Sequence, residues 1–289
     1  MGHVRIGLSG WSYEEWAGEV YPDDLRSEDR LRWVAERVDA VEVNTTFYRL
    51  TSPAVVRRWV EAVPRSFRFA VKGSRYITHQ KRLRDAEQGL ANFFAAGLLE
   101  LGGQLGPVLW QLPAGTSVDV DRLRAFLARL PSDTDEARRL ARRHDDRVES
   151  VAYGPDTTHR LRHVLEVRDH ALLTEAVARQ CREHGVALAT SHSSQWPWTE
   201  ELTAGFAYLR LHGPKELYAS AYDTEQLRWW AHRVQCWRSG GQPKDARRLT
   251  DLQPPPRAGR DVYVFFDNDN GGHAPRDAER LRGLVGAEV

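Results

Sequence analysis

Cysteine is scarce in this chain of 289 residues: there are two, Cys181 and Cys236, with no CxxC spacing. That argues against a disulfide scaffold or a thiolate zinc framework and leaves two reduced thiols. Net charge is missing as well, since 41 basic and 40 acidic residues nearly cancel to +1. This excludes a histone-like polycation but leaves room for a local basic patch. No apolar run approaches the roughly 20 residues that span a bilayer. The stretch MGHVRIGLSGW has no basic segment followed by a long apolar one, so the expectation is a cytoplasmic protein with no membrane partner. HxH and HExxH spacings, RNA-binding signatures and internal repeats are also absent.

What is present is a regular alternation. At 41% hydrophobic and 28% charged residues the chain has the composition of a globular protein. Strand-like runs occupy 4–9, 40–44, 67–72, 107–112, 163–168, 186–191, 206–213 and 261–268. Helix-like stretches at 27–38, 53–63, 85–102, 121–130, 170–184, 223–238 and 274–285 lie between them, with start signals at Ser52-Pro53 and Asp223-Thr224. The sixth connection, around 195–204, is short for a helix. Eight strands alternating with helices predict an α/β fold, a single parallel (β/α)8 TIM-type barrel over 1–289, with an active-site mouth at the C-terminal strand ends. A doubly wound open sheet is the alternative. The charged stretch 131–162 and the Gly/Pro/Arg-rich stretch 239–260 are expected as solvated surface excursions on the face opposite the mouth.

Both faces of a parallel barrel strand are covered, so its residues are mostly apolar, and polar side chains at C-terminal ends mark the mouth. Such residues recur: Glu42 and Asn44, Lys72, Gln111, Glu166 and Arg168, Arg210 and His212, Asp267 and Asn268. Period-two geometry places Glu42 with Asn44, Glu166 with Arg168 and Arg210 with His212 on single faces opposite Val or Leu, hence pointing into the barrel. Asp267 and Asn268 necessarily point opposite ways. A structural salt-bridge network plugging the barrel is the competing account, because buried charges must find partners. Loops over the mouth supply Trp11, Tyr13, Tyr48, Arg75, Tyr76, His79, Tyr218 and Tyr222. The Gly-rich turn DNDNGGHAP brings Asn268 and His273 to a helix N-terminus suited to an anion.

The ordered motifs VRIGLSGWSYEEWAGEVYP, VEVNTTFYRLTSP, FRFAVKGSRYITHQKRL, LGPVLWQLP, LEVRD, YLRLHGP with YASAY, and VYVFFDNDNGGHA run the length of the chain. Together they resemble the YecE-like family, a domain-of-unknown-function (DUF) family. The resemblance implies a TIM barrel and family-like positions that include Ser9, Trp11, Glu42, Lys72, His79, Glu166, Arg210 and His273, but no established reaction. Two departures stand out: EVRDHALL where the family has a histidine and a tryptophan-containing stretch after EVR, and Asp267-Asn268-Asp269 where it often has paired asparagines.

These residues lead to an expected enzyme using general acid–base chemistry on a small anionic (carboxylate- or phosphate-bearing) or polyhydroxylated substrate: a metal-independent lyase, isomerase or hydrolase. Glu42 or Glu166 is the expected base with His212 as acid partner, Lys72 stabilises developing negative charge, and Arg168, Arg210 and Arg75 hold the anion. Lys72 as a Schiff-base nucleophile is a variant of this reading. Trp11, Asn44, Tyr48, Tyr76, His79, Gln111, Tyr222, Asn268 and His273 complete the substrate-binding set. No cofactor and no metal are expected. The metal-dependent alternative draws on Glu42, Glu166, His212, Asp267 and His273, beside lysine and arginine that repel a divalent cation. A glycosidase built on Glu42 and Glu166 ranks lower. A nucleic-acid partner engaged by KGSRYITHQKRLR, or a non-catalytic small-molecule binder, are the remaining classes.

Overall fold

The computed structural model describes residues 1–116 and 118–286. Nine parallel strands run β1 Val4–Leu8, β2 Ala40–Val43, β3 Arg68–Lys72, β4 Leu105–Leu112, β5 His163–Val167, β6 Ala187–Leu188, β7 Thr190–His192, β8 Phe206–Leu211 and β9 Asp261–Phe266. Their order in the sheet is β6-β5-β4-β3-β2-β1-β9-β8-β7. Only Ala189 separates β6 from β7, and its N–H donates to the Leu165 carbonyl. The pair therefore occupies one strand position, β6 pairing with β5 and β7 with β8. The result is a nearly closed barrel of the expected (β/α)8 kind.

Side chains alternate across this wall as a two-residue period demands. Val41, Val43, Val71, Leu165, Val167, Leu209 and Leu211 are buried in the larger apolar cluster. A second cluster contains Ala40, Ala70, Leu109, Val164, Ala187, Ala189, Phe206, Tyr208, Tyr263 and Phe265, and these are the alternate, barrel-facing positions. The packing pairs large with small: rings from β8 and β9 fill the space that alanines on β2, β3 and the β6–β7 position leave open. Each such ring removes about 150–250 Å² from water, on the order of 4–6 kcal/mol of gross burial at about 25 cal/mol/Å². Gly7 is required by the wall itself, since a Cβ there would sit 2.0 Å from the Ala40 carbonyl oxygen.

Helices follow the expected stretches at Arg30–Ala35, Pro53–Ala62, Ala86–Ala95, Val120–Leu127, Glu175–Glu183, Thr224–Arg238 and His273–Gly286. Asp223 caps the Thr224 helix through a full capping box with Gln226. The stretch 85–102 is broken at Gly97 (φ 93°), where a Cβ would meet the Pro53 backbone nitrogen at 2.6 Å, and it continues as a 3-10 turn, Leu98–Gln104. Around 195–204 there is no helix.

The two stretches expected as solvated excursions are anchored. Within 131–162, Asp133 caps a helix, Thr134–Ala141, whose Ala137 and Ala141 are fully buried. Its apolar face is written in alanines too small to stand out among the charges. Residues 147–150 also line a cleft at the mouth, on the side opposite to the one expected. Within 239–260, the Glu201 carboxylate accepts from the backbone N–H groups of Leu249 and Thr250 and from the Thr250 hydroxyl. Cys181 and Cys236 are free thiols. Among the described residues no helix is long and apolar enough to cross a membrane.

Candidate functional site

The inward polar residues gather around one guanidinium. Arg210, fully buried on β8, donates from Nη2 to Glu42 Oε1 at 2.6 Å and from Nε to Glu42 Oε2 at 3.0 Å. Its Nη1 donates to both oxygens of Glu166, at 3.0 and 3.2 Å, and Nη2 reaches Asp267 Oδ2 at 3.0 Å. Three carboxylates from β2, β5 and the end of β9 thus converge on a single cation from β8. Arg210 was expected to bind substrate, but its donors are taken up by protein carboxylates. The same guanidinium fills the space where a metal held by Glu42, Glu166 and Asp267 would sit. Among the described residues no group of three or more His, Cys, Asp or Glu is disposed to hold an ion.

The remaining valences of the cluster are filled from the wall. Tyr208 donates to Glu42 Oε2 at 2.6 Å, and Ser9 Oγ lies 3.3 Å from Glu42 Oε1. Ser191 donates to Glu166 Oε1 at 2.6 Å and lies 3.1 Å from His212 Nε2. The other imidazole nitrogen, Nδ1, is 2.8 Å from Asp267 Oδ2. Despite the burial that opposes ionisation, Arg168 and Arg210 hold Glu166 well below the ordinary carboxylate range, and Arg210 and His212 do the same for Asp267. Glu42, Glu166 and His212 are each 0% exposed. The three residues expected to exchange protons with substrate therefore form a sealed floor.

Above this floor stand groups that reach the opening. Arg168 donates from Nε to Glu166 at 2.9 Å and from Nη1 to the Tyr218 hydroxyl at 3.1 Å, and lies over the Trp196 ring at 4.0 Å. Tyr218 adopts a left-handed backbone (φ 63°) to bring its phenol there. Lys72, the last residue of β3, accepts from the Thr46 hydroxyl at its backbone carbonyl (2.7 Å), while its Nζ lies 4.5 Å from the centroid of Phe47 and has no hydrogen-bond or ion-pair partner among the described residues. Burial and the nearby Arg210 lower its pKa to about 8. The His79 ring packs on the same Phe47 at 4.8 Å, with Nδ1 2.8 Å from the Thr78 hydroxyl. Burial and then Lys72 push its pKa down to about 4, so the imidazole is neutral at pH 7.

The other expected residues divide. Asn44 donates to the Ser9 carbonyl at 2.8 Å, leaving its buried Oδ1 unpartnered, and Gln111 is buried at the end of β4. Tyr48 and Arg75 form an exposed rim pair at 5.6 Å. Tyr76 packs against the core from a π-helical turn, Tyr76–Gln80. Two residues are structural instead of facing a ligand. Tyr222 is buried, its phenol within 2.8 Å of His192 Nδ1, and Asn268 donates outward to Asp277 and to the Ser220 carbonyl. That resolves the Asp267–Asn268 ambiguity: Asp267 points in and Asn268 out. His273 starts the last helix and is partly buried.

Sequence reasoning missed Ser191, Tyr208, Trp196 and Asp269. The first two were legible, because Ser191 continues the inward face of Ala187 and Ala189 and Tyr208 that of Arg210. The Tyr13 hydroxyl lies 2.6 Å from the Ser9 carbonyl oxygen and 2.8 Å from Asp269 Oδ2, while Trp16 Nε1 donates to the Asp269 carbonyl at 2.9 Å. Beside the cluster lies a cleft of about 840 Å³ that it borders through Ser9 and Asn44. Trp11 and Trp59, in edge contact at 5.6 Å, line it with Tyr48, Arg49, Arg58 and Glu149.

A family model described as "Protein of unknown function DUF72" matches residues 5–289. The UPF0759 protein YecE of Escherichia coli strain K12 is 33% identical over 131 residues, which is 45% of this chain and 45% of YecE. The UPF0759 protein YunF of Bacillus subtilis strain 168 is 26% identical over 115 residues, 38% and 40% of the two chains. The matched part of the chain thus spans less than half the length of these curated relatives. Among solved structures, a DUF72 family protein from Thermotoga maritima (TM1631) has a TM-score of 0.72 at 22% identity, covering 98% of this chain and 99% of that one. One from Enterococcus faecalis V583 (EF0366) has a TM-score of 0.66 at 17% identity, covering 98% and 95%. These likenesses show the fold alone.

Proposed function

The chain belongs to the DUF72 family of proteins of unknown function, and we propose that it is an enzyme using general acid–base chemistry on a small anionic or polyhydroxylated substrate in the barrel mouth. Lys72 carries this reading: it is a cation at the mouth with no carboxylate within ion-pair distance among the described residues, standing over carboxylates already committed to Arg210. A substrate anion bound there supplies the missing counter-charge in a partly desolvated site, where the interaction is stronger than in water. Arg168 gives a second, partly reachable cation, and the neutral imidazole of His79 is the proton acceptor on the same wall. Glu42, Glu166, Asp267 and His212 hold that electrostatic floor in place and act on substrate through Arg210 and Arg168.

The experiment is calorimetric titration with inorganic phosphate, glyoxylate and a sugar phosphate. Binding by the native protein that falls at least about tenfold in Lys72→Met supports the reading. Equal affinity in the variant, or no binding of any probe at low salt, rejects it.

A nucleic-acid reading draws on a different observation. Arg49 and Arg58 line the adjacent cleft with Trp11, Trp59 and exposed Tyr48, and neither arginine forms an ion pair with a described residue. Stacking rings and unpaired arginines suit a single strand. Oligonucleotide affinity that falls steeply with salt and is lost in the Arg49→Ala, Arg58→Ala double variant supports it. No binding at low salt removes it.

A further inference from the structure

Basic residues in this chain are almost all arginine, 37 against four lysines. Lys72 is the one lysine facing the charged ring; Lys215 and Lys244 are exposed, and Lys81 lies past the π-helical turn. The contrast with Arg210 is chemical. A guanidinium stays cationic throughout the physiological range, whereas an amine in a site that disfavours charge gives up its proton and becomes a nucleophile. Lys72 also lacks the carboxylate that would hold its proton, and its stem runs from a rigid strand end over the face of Phe47. We propose that Lys72 is a nucleophilic amine that forms an imine with the carbonyl group of a small anionic or polyhydroxylated substrate. This rests on the enzyme reading above and narrows it to carbonyl-bearing substrates.

The surroundings serve each stage. Glu42 from β2, His79 from the π-helical turn after β3, Glu166 and Arg168 from β5 and its end, Arg210 from β8 and Asp267 from the end of β9 are the charged and titratable groups around the amine. Arg210 and Arg168 work with burial to favour the neutral amine, and Glu166 and Glu42 oppose them. With a pKa near 8, roughly a tenth of the side chain is free amine at pH 7. Its lone pair forms the N–C bond as the carbonyl π pair moves onto oxygen. His79 carries the proton from nitrogen to that oxygen, giving a carbinolamine. The proton first released by the ammonium then leaves with the hydroxyl as water, and the nitrogen lone pair forms the C=N bond. Ammonium plus carbonyl give protonated imine plus water, with no change of oxidation state.

The test is reductive trapping. The protein is incubated with glyoxylate or glyceraldehyde and cyanoborohydride, and adducts are mapped by peptide mass spectrometry. The three other lysines are internal controls. The expected result is modification of Lys72 at least about tenfold faster than of exposed Lys215 and Lys244, with a rate that rises through pH 8 and an adduct absent from Lys72→Arg. Labelling spread equally over the lysines, or confined to the exposed ones, overturns the proposal. Glyoxylate titration without reductant separates the two readings: binding without trapping sinks the imine and leaves the anion site standing, and loss of both sinks both.

Discussion

The Tyr13 phenol oxygen lies 2.8 Å from Asp269 Oδ2 and 2.6 Å from the Ser9 carbonyl oxygen, so its one proton serves only one of two acceptors. When Tyr13 donates to Ser9, Asp269 must carry a proton of its own to complete the contact. Burial, with Asp267 next in importance, raises the Asp269 carboxyl well above the usual range in accord with this. A raised folded value contributes stability that is fully present below the ordinary Asp range and is lost as pH rises through the folded value. Asp269→Asn still offers an N–H to Tyr13 but cannot ionise. Its Tm relative to the native protein is expected to improve from pH 5 to pH 8, and the infrared C=O stretch of a protonated carboxyl at pH 7 is expected to weaken. A constant Tm difference with an unchanged band contradicts the assignment.

Arg210→Met leaves three carboxylates facing one another without their cation. Removing one side of a buried pair costs about 3–5 kcal/mol, so a loss at or above that range is expected in urea unfolding. Arg210→Lys recovers little, since a point ammonium cannot fork to Glu42 and Glu166 together. A loss below about 1 kcal/mol in either variant contradicts the central role of this guanidinium.

Glu166 and Asp267 are held below the ordinary carboxylate range, the opposite case to Asp269. Their contribution is present above about pH 4, where the unfolded carboxyls ionise, and is lost as pH falls toward their folded values. Urea midpoints measured from pH 6 down to pH 3 should therefore fall more steeply for the native protein than for Glu166→Gln. Parallel curves would mean that Glu166 is not held ionised by the cluster.

Tyr208→Phe removes the phenol that donates to buried Glu42 at 2.6 Å. Hydrogen bonds to charged groups contribute about 1.5–3 kcal/mol, and a loss of that size is expected with the fold intact. Gly7→Ala is expected to cost about 3 kcal/mol through overpacking, because the new methyl meets the Ala40 backbone and not a movable side chain. Both are read from equilibrium unfolding monitored by circular dichroism.

Strand order and inward direction were legible because alternation depends only on the pleat: Glu42, Glu166 and Arg210 each stand opposite valine or leucine, and only one face could be wet. Reach was not legible. Whether Glu42 touches a ligand depends on how far Arg210 and Tyr208 extend from the opposite wall, a distance between strands far apart in sequence. The same blindness hid Asp269, whose partner Tyr13 lies 256 positions away. Tyr222 and Asn268 read as loop residues of the mouth, yet Asp277 on the last helix takes the Tyr222 N–H and the Asn268 amide for packing.

The interruption at Ala189 changes what the charged cluster is for. Backbone pairing on either side of the break is short, two registered pairs to β5 and three to β8. The wall is a belt with a weak buckle, and across its top Arg210 acts as a second fastening, tying β8 to β2, β5 and the end of β9. Protonating or cutting that fastening loosens the ring where it is thinnest.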